Sequence, residues 1–148
     1  MKLGGEDDPT EVVASLLAAK PTELETGPIV DWSLDLRTAL HGGGHQPWNL
    51  DKGLLRFLLA HVLRHGETVC DFGAFGGHYS SWLNDTGLVT AFAFDGLADV
   101  EELTDGRVRY GRLEDTDLEV GQSCDAALCL EVLEHIPRDQ EATALQNL

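Results

Sequence analysis

Val69-Cys70-Asp71-Phe72-Gly73-Ala74-Phe75-Gly76-Gly77-His78-Tyr79-Ser80 decides how this chain is read. A short apolar run ends in an acid. A glycine-rich turn follows, and then a segment with helical character. Strand, tight turn and helix in that order make the first unit of a doubly wound α/β sheet. Glycines suit the turn because the backbone bends sharply there and a ligand can approach closely. The helix that begins near Gly77 aims its free N–H groups into the same space.

Two kinds of nucleotide ligand use such a turn. A dinucleotide wants G-x-G-x-x-G, so that a pyrophosphate rests on the glycines and the helix N-terminus. The glycines here are 73, 76 and 77, and that spacing fails. Asp71, two residues before the first glycine, disfavours a pyrophosphate and suits a cationic ligand. A nicotinamide-dependent dehydrogenase is therefore the weaker reading.

Asp71-Phe72-Gly73-Ala74-Phe75-Gly76-Gly77 resembles the first motif of class I S-adenosylmethionine-dependent methyltransferases, D/E-x-G-x-G-x-G. Gly73 and Gly77 match its first and third glycines. Phe75 stands in the place of the middle one, a departure that narrows the pocket or shifts the loop. Gly76 is expected to supply the missing backbone freedom one residue later. S-adenosylmethionine carries an ammonium and a sulfonium, which fits the acid at position 71.

Composition bounds the alternatives. A chain of 148 residues can bury a genuine core. Its net charge of −16 repels nucleic acid and anionic lipid, so neither is an expected partner. No stretch has the apolar length of a membrane span. Val12 to Ala19 is too short, and too closely preceded by acids, for a signal peptide. Cys70, Cys124 and Cys129 are odd in number, and the first and last fall in apolar runs. They read as small buried hydrophobes in a reducing, cytoplasmic compartment rather than as disulfides or metal ligands.

Two regions follow. Residues 1–48 read as a polar tail (to Thr10), a short helix over Glu11 to Lys20 stopped by Pro21, and an apolar stretch from Pro28 to Leu40 that docks on the main body. His41-Gly42-Gly43-Gly44-His45 reads as a loop, not a metal site, because no third ligand adjoins it. Trp48 serves either packing or a pocket wall.

Residues 49–148 read as the α/β body. Asn49 or Asp51 caps a helix running to about Arg64, with Leu54, Leu55, Leu58, Leu59, Val62 and Leu63 as its apolar stripe. His61 and His65 on that helix read as surface residues. Glu67 to Asp71 is the first body strand. Leu88 to Phe94 is a continuous apolar run, as in a strand buried on both faces, and it ends at Asp95-Gly96. In doubly wound folds an acid about that far beyond the first strand holds a ribose, and Asp95 is assigned that role. Val108 to Tyr110 is a short third strand, and Cys124 to Leu130 is the fourth. Their order implies a mostly parallel Rossmann-like sheet, 3-2-1-4, in a three-layer αβα arrangement.

Asp125 followed by Glu131-Val132-Leu133-Glu134-His135-Ile136 closely resembles the fourth motif of many small-molecule class I methyltransferases. The resemblance covers about Leu50 to Leu148. It implies S-adenosylmethionine as cofactor and methyl transfer to a small-molecule acceptor. It implies cofactor contacts at Asp71, Gly73, Ala74, Phe75 and Gly77, at Asp95 and Gly96, at Leu113 and Glu114, and at Glu131. The family's G-D-A after the third strand is replaced by Gly111-Arg112-Leu113, so Leu113 is the expected adenine contact and Glu114 or Asp115 the substitute acid. Glu131 and His135 are the candidate catalytic pair: His135 has the pKa of a proton acceptor near neutrality, or else caps or packs locally. The resembled family continues with further strands, which leaves the fourth strand as an open edge. A fragment, a partner chain or second copy at that edge, and a shortened non-catalytic relative remain alternatives.

Overall fold

Residues 25–26 and 49–148 are described by the computed structural model. Glu25–Thr26 (β1) pairs antiparallel with Asn49–Leu50 (β2). Lys52–His61 forms α1, Thr68–Phe72 β3, His78–Thr86 α2 and Thr90–Asp95 β4. A short α3 (Val100–Leu103) and β5 (Val108–Tyr110) follow. Ala126–Cys129 is β6, Leu133–His135 a single 3₁₀ turn, and Glu141–Asn147 α4. The expected helix over 11–20, the 28–40 stretch, the His41–His45 loop and Trp48 lie outside the described residues.

The sheet has four parallel strands in the order β5-β4-β3-β6. Counting only these four, that is the expected 3-2-1-4. β3 and β4 run centrally and carry the buried apolar residues of strands covered on both sides. On one face, Val69, Ala91 and Leu128 pack with Leu55 and Leu59 of α1 and Leu83 of α2. On the other, Cys70, Phe72 and Phe94 pack with Leu113 and with Ala144 of α4. The period-two alternation along β3 thus sends Val69 and Asp71 to the α2 side and Cys70 and Phe72 to the α4 side. Leu55 and Leu83 are fully buried, so truncating either to alanine costs about 2–5 kcal/mol.

Local chemistry sets the boundaries. Asp51, not Asn49, caps α1: its carboxylate accepts the Leu54 N–H at 2.8 Å, while Asn49 pairs with Thr26. α1 ends at His61, short of Arg64, which leaves Val62 56% exposed and outside the expected stripe. α2 stops at Gly87, whose φ of +70° closes the helix. β6 is shorter than the expected 124–130 run. Asp125 replaces a ladder step: its N–H donates to Thr68 O and its carboxylate accepts the Thr68 N–H, both at 2.8 Å.

The cysteine expectation needs correction. Cys70 and Cys124 are joined by a disulfide, with a Cα–Cα distance of 5.8 Å, and only Cys129 is free. Fifty-four positions separate the pair in sequence. The parallel β3–β6 pairing closes that gap, and a linear reading does not show it.

Candidate functional site

The carboxyl ends of β3 and β6 meet where strand order reverses, the place at which doubly wound sheets bind ligands. A cavity of about 250 Å³ opens there. Asp71, Gly73, Ala74 and Phe75 line it from β3 and the turn, His78 and Tyr79 from α2, and Leu130 and Glu131 from the segment after β6. None of these is a lysine or arginine.

Asp71 is only 5% exposed. Alternation aims it at α2, where the Ser80 hydroxyl donates to its Oδ2 at 2.8 Å. Burial pushes its carboxyl up to about 6; hydrogen bonds from Ser80 pull the other way, and the Asp95 charge adds a smaller rise. A carboxylate ionised at neutrality but poorly solvated favours a cation beside it.

The turn is shaped by left-handed residues. Gly73 has φ +73° and Gly77, capping α2, φ +74°. Between them it is Phe75 that takes the left-handed conformation, at φ +51°, and not Gly76. The expected relief one residue later is therefore incorrect: the phenylalanine itself takes the left-handed backbone. Such a conformation costs a non-glycine residue about 1–2 kcal/mol. Glu131, across the cavity, is also left-handed at φ +55°. Strained residues of this kind cluster at ligand sites, where surrounding structure holds them.

Three further hydrogen bonds fix the turn against the end of β4. The Phe75 N–H donates to Asp95 Oδ2 at 2.7 Å, and the Leu97 N–H donates to Asp95 Oδ1 at 2.8 Å. The Ala74 N–H donates to Phe94 O at 3.0 Å. The end of β4 thus sets the path of the β3–α2 turn. Val132 lies against Gly73 so closely that a Cβ at position 73 would collide with its Cγ2. The two most informative sequence motifs touch at that point.

Not every expected residue reaches the cavity wall. Asp71, Gly73, Ala74, Phe75 and Glu131 are brought together. Asp95 joins them through the Phe75 amide. Gly77 lies below, packed on Val108, where an added Cβ would be 3.0 Å from Cγ2. Gly96 is covered by the Arg112 side chain, with Cγ 2.9 Å from where a Cβ would lie. Leu113 is 3% exposed, inside the α4-side core. Glu114 receives the Arg112 guanidinium at 2.5 Å and 3.0 Å. Burial raises the Glu114 carboxyl, but that guanidinium outweighs it and holds the group low. His135 lies in the exposed 3₁₀ turn, away from the cavity wall.

Sequence reasoning assigns no role at the site to Ser80, Val132 or Tyr79. Ser80 carried a signal: it lies in the first turn of the helix after the glycines, within reach of a strand-end acid. Tyr79 also ties the cavity to β2 and α1, since its hydroxyl accepts the Asp51 N–H at 3.1 Å. Among the described residues, no group of three or more His, Cys, Asp or Glu is placed to hold a metal ion. No helix among them is long and apolar enough to cross a membrane. No known protein-family model matches the chain, and no curated protein matches it.

Proposed function

We propose that this chain binds S-adenosylmethionine at the β3–β6 cavity and is a methyltransferase-type domain acting on a small-molecule acceptor. The observation that carries the reading is the buried Asp71 carboxylate, which shares the cavity wall with Glu131 and with the left-handed Phe75. Two acids on a wall that carries His78 but no lysine or arginine suit a ligand bearing an ammonium and a sulfonium. The cavity is near the small end of ligand sites, about 300–1,000 Å³, and suits the amino-acid end of such a molecule. Asp95, at the end of β4, would hold the ribose hydroxyls in this reading.

S-adenosylmethionine, held by Asp71, Glu131 and the Gly73–Phe75 turn, would supply an electrophilic methyl group for transfer to the acceptor. The chain's part is positioning and exclusion of water. Asp71 neutralises cationic charge, Glu131 borders the methyl donor, and Asp95 holds the turn in place through Phe75. His135, expected to be a proton acceptor, lies off the cavity wall, so the reading assigns it no catalytic role.

A second reading is a non-catalytic relative working through association. It is favoured by the occupied adenine side, where Arg112 covers Gly96, engages Glu114, and leaves Leu113 in the core. Calorimetric titration with S-adenosylhomocysteine, with NAD in parallel, separates the readings. Saturable binding of the former alone, lost in Asp71→Asn and weakened in Asp95→Ala, supports the enzyme reading. No binding by the folded chain sinks it, and a preference for NAD would revive the dehydrogenase.

A further inference from the structure

The Cys70–Cys124 disulfide lies outside the cavity, and the proposed function does not use it. Its position gives it mechanical reach. β6 has four residues and, among the described residues, one partner in the sheet, β3. Its leading end is fastened at three points: the Cys124 sulfur bonded to Cys70, the Asp125 N–H on Thr68 O, and the Asp125 carboxylate under the Thr68 N–H. Its trailing end runs directly into Leu130 and Glu131, which form one wall of the cavity. The loop before Cys124 is held less firmly. Arg109 donates to Val120 O at 3.3 Å and to Gln122 Oε1 at 2.8 Å, both in exposed settings.

We propose that Cys70 and Cys124 form a reversible dithiol–disulfide couple that sets how firmly β6, and with it Leu130 and Glu131, is held against β3. A short edge strand with one partner is drawn from the low-stability end of a fold, so a covalent tie at its lead-in controls its opening.

Access is asymmetric. Cys70 is fully buried, whereas Cys124 is half-buried. An incoming thiolate therefore attacks the Cys124 sulfur, forms a mixed disulfide there and releases Cys70 as a thiolate, which takes a proton. A second small thiol then attacks its own kind in that mixed disulfide. Cys124 leaves as a thiol, and the two small thiols leave joined as a disulfide. Two electrons pass from the small thiols to the protein, and the reverse sequence restores the tie. The co-reactant is a low-molecular-weight thiol with its disulfide. Cys129 stays outside the exchange. Burial raises its thiol, and the charges of Glu134 and Asp71 raise it further, so it remains protonated.

The full chain is equilibrated in glutathione buffers of graded redox ratio, quenched in acid, alkylated and mapped by mass spectrometry, with amide exchange followed in parallel. No cofactor is added, so the outcome is independent of the methyltransferase reading. Cys70 and Cys124 convert together in one two-electron transition while Cys129 is alkylated throughout. Amides of 126–131 exchange at least about tenfold faster in the dithiol form, as expected for local opening. Cys124→Ser matches the dithiol form in every buffer, and Cys129→Ser retains the transition. Independent labelling of Cys70 and Cys124, persistence of both thiols in fully oxidised glutathione, or equal exchange in the two forms would overturn the proposal.

Discussion

Replacing Asp71 with asparagine is expected to strengthen the fold at neutral pH while weakening a cationic ligand. Asp71 ionises about 6 in the folded chain and at its ordinary 3.8 when unfolded. Between those values the folded state keeps a proton that the unfolded state releases, so this group's contribution falls as pH rises from about 4 to about 6. Above that window its full cost is present, about 3 kcal/mol at ~1.4 kcal/mol per pH unit. At pH near 4.5 the same linkage leaves a cost of about 1 kcal/mol. Asparagine removes the charge and still accepts the Ser80 hydroxyl through its amide oxygen. Urea unfolding of both proteins at the two pH values isolates the effect, because the other carboxylates cancel in the difference. The variant is expected to gain about 3 kcal/mol at pH 7.5 and about 1 kcal/mol at pH 4.5. A variant less stable than the parent at pH 7.5, or an advantage that does not shrink in acid, would refute the argument. Loss of stability together with loss of binding would mark Asp71 as a structural group only.

Ser80→Ala removes a hydrogen bond that favours the ionised carboxylate, so the Asp71 midpoint, followed by carboxyl carbon NMR, moves above about 6. At position 75 the left-handed backbone reverses the usual preference: Phe75→Gly is expected to be more stable than Phe75→Ala by about 1 kcal/mol in thermal melts. Gly73→Ala sets a methyl against Val132 at positive φ and is expected to cost more than about 1 kcal/mol. Adding Val132→Ala recovers part of that loss in a double-mutant cycle, and no recovery would mean that φ alone decides.

The parallel sheet was legible because its strands carry unmistakable signals. Leu88 to Phe94 has no polar residue except Thr90, and a glycine-rich turn follows Asp71. Pairing order follows from the doubly wound pattern once those strands are placed, and the observed order agrees. What escaped was set by contacts between distant segments. The expected order already sets the fourth strand beside the first, but nothing near Cys124 announces the register and side-chain direction that join it to Cys70. Nothing in Arg112-Leu113-Glu114 shows that the guanidinium will turn toward Glu114 while Leu113 enters the core. Phe75 was misjudged for another reason. Propensity moves the left-handed residue to the adjacent glycine, but Asp95 grips the Phe75 amide and the turn keeps its frame.

Asp95 has a consequence beyond holding that turn. Each of its oxygens already accepts one backbone N–H, from two different crossovers. The carboxylate plane is thereby locked, and of its roughly four acceptor directions about two remain. A ligand that donates there meets a group with little rotational freedom left to lose, so the entropic penalty of ordering the side chain largely vanishes. The same rigidity makes the group selective. Two hydroxyls on adjacent carbons can match both open directions at once, whereas a single hydroxyl of equal donor strength can use only one.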